Sequence, residues 1–150
     1  MVYVLADNII SPLGNTSEDN YQAVKAGKSA IRAYAPMTDG IPDGFIASLM
    51  SADFEDLVFR SVGKAIEASG INVADARSVF ILSSTKGAIE GLGKDADENL
   101  YLGETAQRIA TRLGFTTRPV VVCNACISGS AAMILASRLL QLGTYDHVVV

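Results

Sequence analysis

Pro119-Val120-Val121-Val122-Cys123-Asn124-Ala125-Cys126-Ile127-Ser128-Gly129-Ser130-Ala131-Ala132-Met133-Ile134 changes its structural period midway. Pro119–Cys123 is a continuous apolar run, the pattern of a strand covered on both faces by helices. From about Ser128 to Leu142 the apolar residues read as a helix, stopped by Gly143. The stretch from Pro119 to Leu142 is apolar enough to be mistaken for a membrane span. Asn124, Ser128, Gly129, Ser130, Ser137 and Arg138 interrupt it, and a strand-to-helix switch accounts for it better.

The predicted helix is apolar in nearly every direction. Ala131, Ala132, Met133, Ile134, Leu135, Ala136, Leu139, Leu140 and Leu142 surround it, and Arg138 is its only charge. Such a helix is expected to be buried on all sides. A single helix-on-sheet pair cannot do this, whereas a central helix layer between two sheets can.

Outward from this stretch, strands and helices alternate. Val2–Asn8 reads as a strand ending at the turn Ser11-Pro12-Leu13-Gly14. Thr16 with Asp19 resembles a capping box, which predicts a helix to about Ala26 with Gly27 as its stop. Residues 28–50, with Pro36, Gly40, Pro42 and Gly44, read as irregular. Phe54, Leu57, Val58, Val62, Ala65 and Ile66 predict a helix over Asp53–Ser69, closed by Gly70. Ser78–Ser84 reads as a buried strand. Gly103–Leu113 reads as a helix, with Ala106, Ile109, Ala110 and Leu113 on one face and Gly114 at its end. Val148-Val149-Val150 begins a last strand. The order βαβαβαβ predicts an α/β fold with a mostly parallel sheet. A chain ending inside a strand is expected of a fragment of a longer protein.

Composition narrows the function. The chain has 150 residues, 49% hydrophobic and 19% charged, enough for one domain with a real core. A net charge of −4 lacks the basic footprint of a nucleic-acid binder. Two cysteines, Cys123 and Cys126, exclude a disulfide scaffold. With a single histidine, His147, they are too few for a four-ligand zinc site unless carboxylates help, so no metal is expected. No basic segment and cleavage site begin the chain, so no signal peptide is read and a reducing cytoplasm is the expected compartment.

Cys126 is the candidate nucleophile. It lies between an apolar strand and a helix N-terminus, whose partial positive charge and unpaired N–H groups favour a thiolate. The same N–H groups suit an oxyanion beside the sulfur. Position alone also fits a small buried hydrophobe, which is the common fate of a free cysteine. Cys123 lies inside the valine strand, where the inert reading is stronger. Neither a Gly-x-Ser-x-Gly elbow nor a phosphate-cradling Gly-x-x-x-x-Gly-Lys loop occurs.

Asn124-Ala125-Cys126-Ile127-Ser128-Gly129-Ser130 resembles the nucleophile segment of β-ketoacyl-acyl-carrier-protein synthases, where Thr-Ala-Cys-Ala-Ser-Gly is typical. Ser11-Pro12-Leu13-Gly14 resembles that family's opening Thr-Pro-Leu-Gly turn, and Gly27-Lys28-Ser29-Ala30-Ile31 its Gly-Lys-Ser-Gly-Ile. Leu142, Gly143, Asp146 and the valines resemble its helix-to-strand exit. The likeness runs along essentially the whole chain in order, and the Pro-Leu-Gly opening favours the elongating branch. Two departures stand out. Asn124 replaces the usual Thr, and Ser83-Ser84-Thr85-Lys86-Gly87 stands where a Gly-Ser-Gly loop is usual. Lys86 is read as a solvated loop lysine.

The resemblance implies the thiolase-like fold, two related halves layered αβαβα, of which this chain is the N-terminal half. It implies Cys126 as the residue that takes an acyl chain from acyl carrier protein, with its own N–H as one oxyanion donor. Ser84 and Thr85 are implied near the acyl pocket as substrate-binding residues. No cofactor is implied beyond the phosphopantetheine on which acyl carrier protein presents its substrates. The implied assembly is a homodimer, or a heterodimer with a related subunit, joined through the Pro119–Cys123 strand. In the family the decarboxylating pair, a structural Lys and the second oxyanion N–H lie in the other half. His147 matches none of them, so the fragment alone is expected not to condense. Two alternatives stand beside this reading: a non-catalytic dimerisation partner of a condensing enzyme, and a thiolase-fold acyltransferase that does not decarboxylate.

Overall fold

A computed structural model describes residues 1–35, 44–91 and 100–150. The chain forms two compact units, Asn8–Ala52, and Met1–Asp7 with Asp53–Val150.

The smaller unit holds helix α1 (Ser17–Lys25) and an antiparallel hairpin of β1 (Arg32–Tyr34) and β2 (Phe45–Ala47). Thr16 caps α1 as predicted, its Oγ1 accepting from the Asp19 N–H at 3.0 Å. The hairpin corrects the irregular reading of 28–50, of which residues 36–43 lie outside the described residues. Three-residue strands leave too short a pattern for periodicity to register. Tyr34 and Phe45 stack at 5.5 Å between centroids and fix the pair.

Asn20 is buried and holds the turn before α1. Its Nδ2 donates to the carbonyls of Ile9 (3.0 Å), Gly14 (3.1 Å) and Thr16 (2.7 Å), while its Oδ1 accepts from Ser11 Oγ. Gly14 is required by close approach, since a Cβ there would lie 2.4 Å from Asp19 Cβ. Asn20→Ala removes the side-chain bonds that fasten this turn to α1 and is expected to cost about 1–3 kcal/mol. Urea unfolding measures it, and a loss below about 0.5 kcal/mol, the scale of ordinary surface changes, would refute this role.

The larger unit is a three-layer sandwich. Its parallel sheet has the order β4 (Val120–Val122), β3 (Ser78–Ser83), β5 (His147–Val149). Ser78–Leu82 are all buried. The period of two in β3 sends Phe80 and Leu82 to one face and Ile81 to the other. Phe80 and Leu82 pack on Ala106, Ile109 and Ala110 of α3 (Leu102–Leu113), with Phe54, Val58, Val62 and Ile66 of α2 (Phe54–Ser69) alongside. Ile81 packs on Ala132 and Ala136 of α4 (Ser128–Gln141). Alanine at the contact positions of α3 and α4 brings each helix close to the sheet. The Asp53 side chain caps α2 through the Asp56 N–H at 2.7 Å, and Gly70 (φ +67°) and Gly114 (φ +90°) end α2 and α3 in the left-handed conformation.

Two expectations change. Val2–Asn8 forms no ladder with any described residue, and Tyr3, Val4 and Leu5 are exposed. β-Propensity specifies an extended chain, but a strand also needs a neighbour. The sequence also expects α4 to be buried all round. Within this chain one sheet covers one side of it, and the opposite side leaves Met133 61% and Ile134 54% exposed.

Arg77 clips the start of β5 to the start of β3. Its Nε and Nη2 donate to Asp146 Oδ2 (2.6 Å) and Oδ1 (2.7 Å), and Nη2 also reaches the Gly143 carbonyl at 2.9 Å. The hydrogen bond from Arg77 holds the Asp146 carboxyl below the ordinary carboxylate range. A depressed carboxyl stabilises the folded state above its unfolded pKa, and the effect is lost as pH falls through the folded value. Asp146→Asn is therefore expected to lower the melting temperature slightly at pH 7, less so in high salt, and to converge with the parent in strong acid. Melting curves across pH check this, and an equal deficit at every pH would contradict it.

Candidate functional site

Parallel strands gather their carboxyl ends at one edge of the sheet, where α/β folds place their ligands. Ser83 pairs with Val122 as the last register pair of β3 and β4, and the Ser84 N–H donates to the Val122 carbonyl at 3.3 Å. The segments Ser84–Gly87 and Cys123–Cys126 therefore leave the sheet side by side.

After β4 the backbone makes an abrupt turn. Asn124 has φ −140°, and Ala125 has φ +47°, the left-handed region. Ala125 is the one non-glycine among the described residues with positive φ. Such a conformation costs about 1–3 kcal/mol and persists only where its surroundings impose it. A single 3₁₀ turn, Ala125–Ile127, follows, closed by the Ile127 N–H on the Asn124 carbonyl at 3.1 Å, and α4 begins at Ser128. Ser128 is buried and its hydroxyl stitches the turn. Its Oγ accepts from the Asn124 N–H at 2.8 Å and donates to the Ala125 carbonyl at 2.7 Å.

Cys126 is exposed within this turn, immediately before α4. Ile127 occupies the N-cap of α4 and supplies no capping side chain. The N-terminal N–H groups of the helix are thus left without that partner, and a helix start favours negative charge close by. The arrangement puts an exposed thiol in the turn before a helix start that no side chain caps.

Other candidates fall as follows. Cys123 lies one residue beyond β4 and is exposed, which corrects the reading that places it inside a buried strand. Both thiols are exposed, and they differ in position relative to the turn. Ser84 Oγ accepts from the Gly87 N–H at 3.0 Å, so it shapes its own loop, while Thr85 and Lys86 are exposed beside it. Asn124 contributes its backbone N–H to the Ser128 bond. His147 pairs with Ser78 at the opposite, amino end of the sheet, so the structure does not bring it to Cys126. Among the described residues no group of His, Cys, Asp and Glu is placed to hold a metal, and no helix is long and apolar enough to cross a membrane. Ser128 is the residue that sequence reading passes over. Its signal is a serine two positions after the cysteine in a first helical turn, where hydroxyls bond local backbone.

No protein-family model and no curated protein matches the chain. Solved structures do. A β-ketoacyl synthase from Burkholderia phymatum superposes with a TM-score of 0.75 at 18% identity, covering 95% of this chain and 44% of that one. The ishigamide ketosynthase/chain length factor superposes with a TM-score of 0.68 at 15% identity, covering 95% of this chain and 44% of that one. The chain thus spans less than half the length of each. Its three-layer sandwich, with the cysteine turn leading into α4, has the thiolase-like fold of a β-ketoacyl synthase, in part.

Proposed function

We propose that this chain is the N-terminal portion of an elongating β-ketoacyl synthase and that Cys126 accepts its acyl group. The Cys126 thiolate attacks the thioester carbonyl of an acyl group carried on the phosphopantetheine of acyl carrier protein. The C–S bond to the carrier breaks, the carrier sulfur leaves as a thiolate and takes up the proton that Cys126 gave up, and the acyl chain rests on Cys126 as a new thioester. In the whole enzyme the acyl-cysteine then condenses with a malonyl-type thioester on the carrier, losing CO₂, as in fatty acid or polyketide assembly. The observation that carries this reading is an exposed cysteine on a turn imposed by its surroundings, at the carboxyl edge of a parallel sheet and against an uncapped helix start. Ser84 and Thr85, on the neighbouring loop, contribute to the acyl site. No further cofactor takes part, and the reducing cytoplasm keeps the thiol available.

The assembly follows from the same reading: a homodimer, or a heterodimer with a related subunit, joined along β4. Support comes from the place of β4 at one edge of the described sheet and from its charge-free sequence Val120-Val121-Val122.

The test is incubation with acyl-carrier protein, followed by intact-mass measurement and peptide mapping. The expected result is one acyl group on Cys126. The likeness to the ishigamide ketosynthase/chain length factor supports a second reading, a non-catalytic partner subunit. An unacylated chain that forms a stable complex with a separate ketosynthase would favour that reading over the first.

A further inference from the structure

We propose that Ser128 is a positioning residue, whose buried hydroxyl holds the left-handed Ala125 turn and so sets the place of Cys126. The inference rests on the reading of Cys126 as the acyl acceptor.

The geometry is specific. Ser128 is 6% exposed, and its Oγ spans the two residues before the cysteine. It receives the N–H of Asn124 and gives its proton to the carbonyl of Ala125. These bonds lie on either side of the one rotation, φ of Ala125, that an alanine resists. The neighbouring side chains offer no substitute: Ile127 supplies no cap, and no side-chain bond caps the 3₁₀ turn. Without the hydroxyl, Ala125 is free to relax toward negative φ. That relaxation swings the Cys126 backbone and carries the sulfur away from the start of α4. A serine kept only for its small size would leave the turn unchanged when replaced by alanine, so the two roles separate by experiment.

The experiment uses the full chain and iodoacetamide as probe, with alkylation of each cysteine followed by peptide mass spectrometry. Cys123 is the internal control, since it precedes the turn and is also exposed. Ser128→Ala removes two hydrogen bonds and is expected to slow Cys126 alkylation by about tenfold, leaving Cys123 within about twofold of the parent. Ser128→Thr keeps a hydroxyl and is expected to restore most of the Cys126 rate. Ser128→Ala combined with Ala125→Gly covers the case in which the single variant fails to fold. Glycine accepts the left-handed backbone without strain but does not enforce it, so the double variant should fold and still react slowly at Cys126.

A folded Ser128→Ala or double variant with parental Cys126 reactivity would overturn the proposal. So would a Ser128→Thr variant as slow as Ser128→Ala. Alkylation needs no acyl donor, so the two readings fail separately. A parent chain that takes no acyl group, yet shows the Ser128 effect, defeats the acyl-acceptor reading and leaves the positioning role standing.

Discussion

Cys126→Ala is expected to abolish acyl uptake, with no adduct detectable by intact mass under conditions that load the parent chain fully. Acyl transfer needs a nucleophile that attacks the thioester and then holds the chain as a new thioester, and alanine has no atom for either task. Cys123 is exposed a few residues away, but it precedes the Ala125 turn and so stands further from the start of α4. Stabilisation of a developing oxyanion by aimed N–H donors is worth about 10²–10³ in rate, and Cys123 would forgo it. Cys123→Ala is accordingly expected to leave acylation within about twofold of the parent. Equal loading of the Cys126→Ala variant would move the acceptor site elsewhere and end this account. Condensed product is not expected from the chain alone. His147 is its only imidazole. It lies beyond the far end of α4, whose 14 residues at 1.5 Å each span about 20 Å.

Phe80→Ala should produce the largest loss of stability of any single core change, about 3–5 kcal/mol. Phe80 is 1% exposed in the central strand, and its ring meets Phe115 at 5.9 Å between centroids. It packs against the buried alanines and isoleucine of α3, with α2 behind them. Truncation removes the larger of the two side chains that β3 packs on this face, leaving Leu82 alone against the cluster. The surroundings collapse poorly because Ala106 and Ala110 have no side-chain length with which to fill the gap. A domain of this size holds only about 5–15 kcal/mol in total, so the loss is a large share of its stability. Chemical denaturation checks the value. A loss under about 1.5 kcal/mol would mean that the core repacks around the void far better than this geometry allows.

Much of this architecture is written locally. Val79–Leu82 and Val120–Val122 are apolar without alternation, and both belong to paired strands of the sheet. The helix predicted over Asp53–Ser69 is observed over Phe54–Ser69, capped by Asp53 and closed by Gly70. Gly114 and Gly143 end or follow their helices as their positions suggested, both with positive φ. These features depend on residues within a few positions of one another, and side-chain chemistry states them directly. The place of Cys126 between strand and helix was equally legible, because it depends on what immediately precedes and follows it.

What the sequence left open depends on partners distant along the chain. Val2–Asn8 has the composition of a strand, yet a ladder needs a second backbone, and composition does not name one. The β1–β2 hairpin is the converse, since short strands with weak patterning are held by cross-strand contact such as Tyr34 on Phe45. Periodicity cannot say which side of α4 is covered, because every side is apolar, and the packing of Ala132 and Ala136 on Ile81 decides it. The role of Ser128 is decided the same way. In sequence Ser128 reads only as a polar break in an apolar run, and only the folded turn brings its hydroxyl between the Asn124 N–H and the Ala125 carbonyl. The sequence by itself determined most of the helices, the strands of the parallel sheet and the place of Cys126 between strand and helix, through short-range chemistry. Tertiary structure decided strand partners, the covered face of α4 and the conformation of the cysteine turn, because each depends on which distant groups the fold brings within hydrogen-bonding or packing distance.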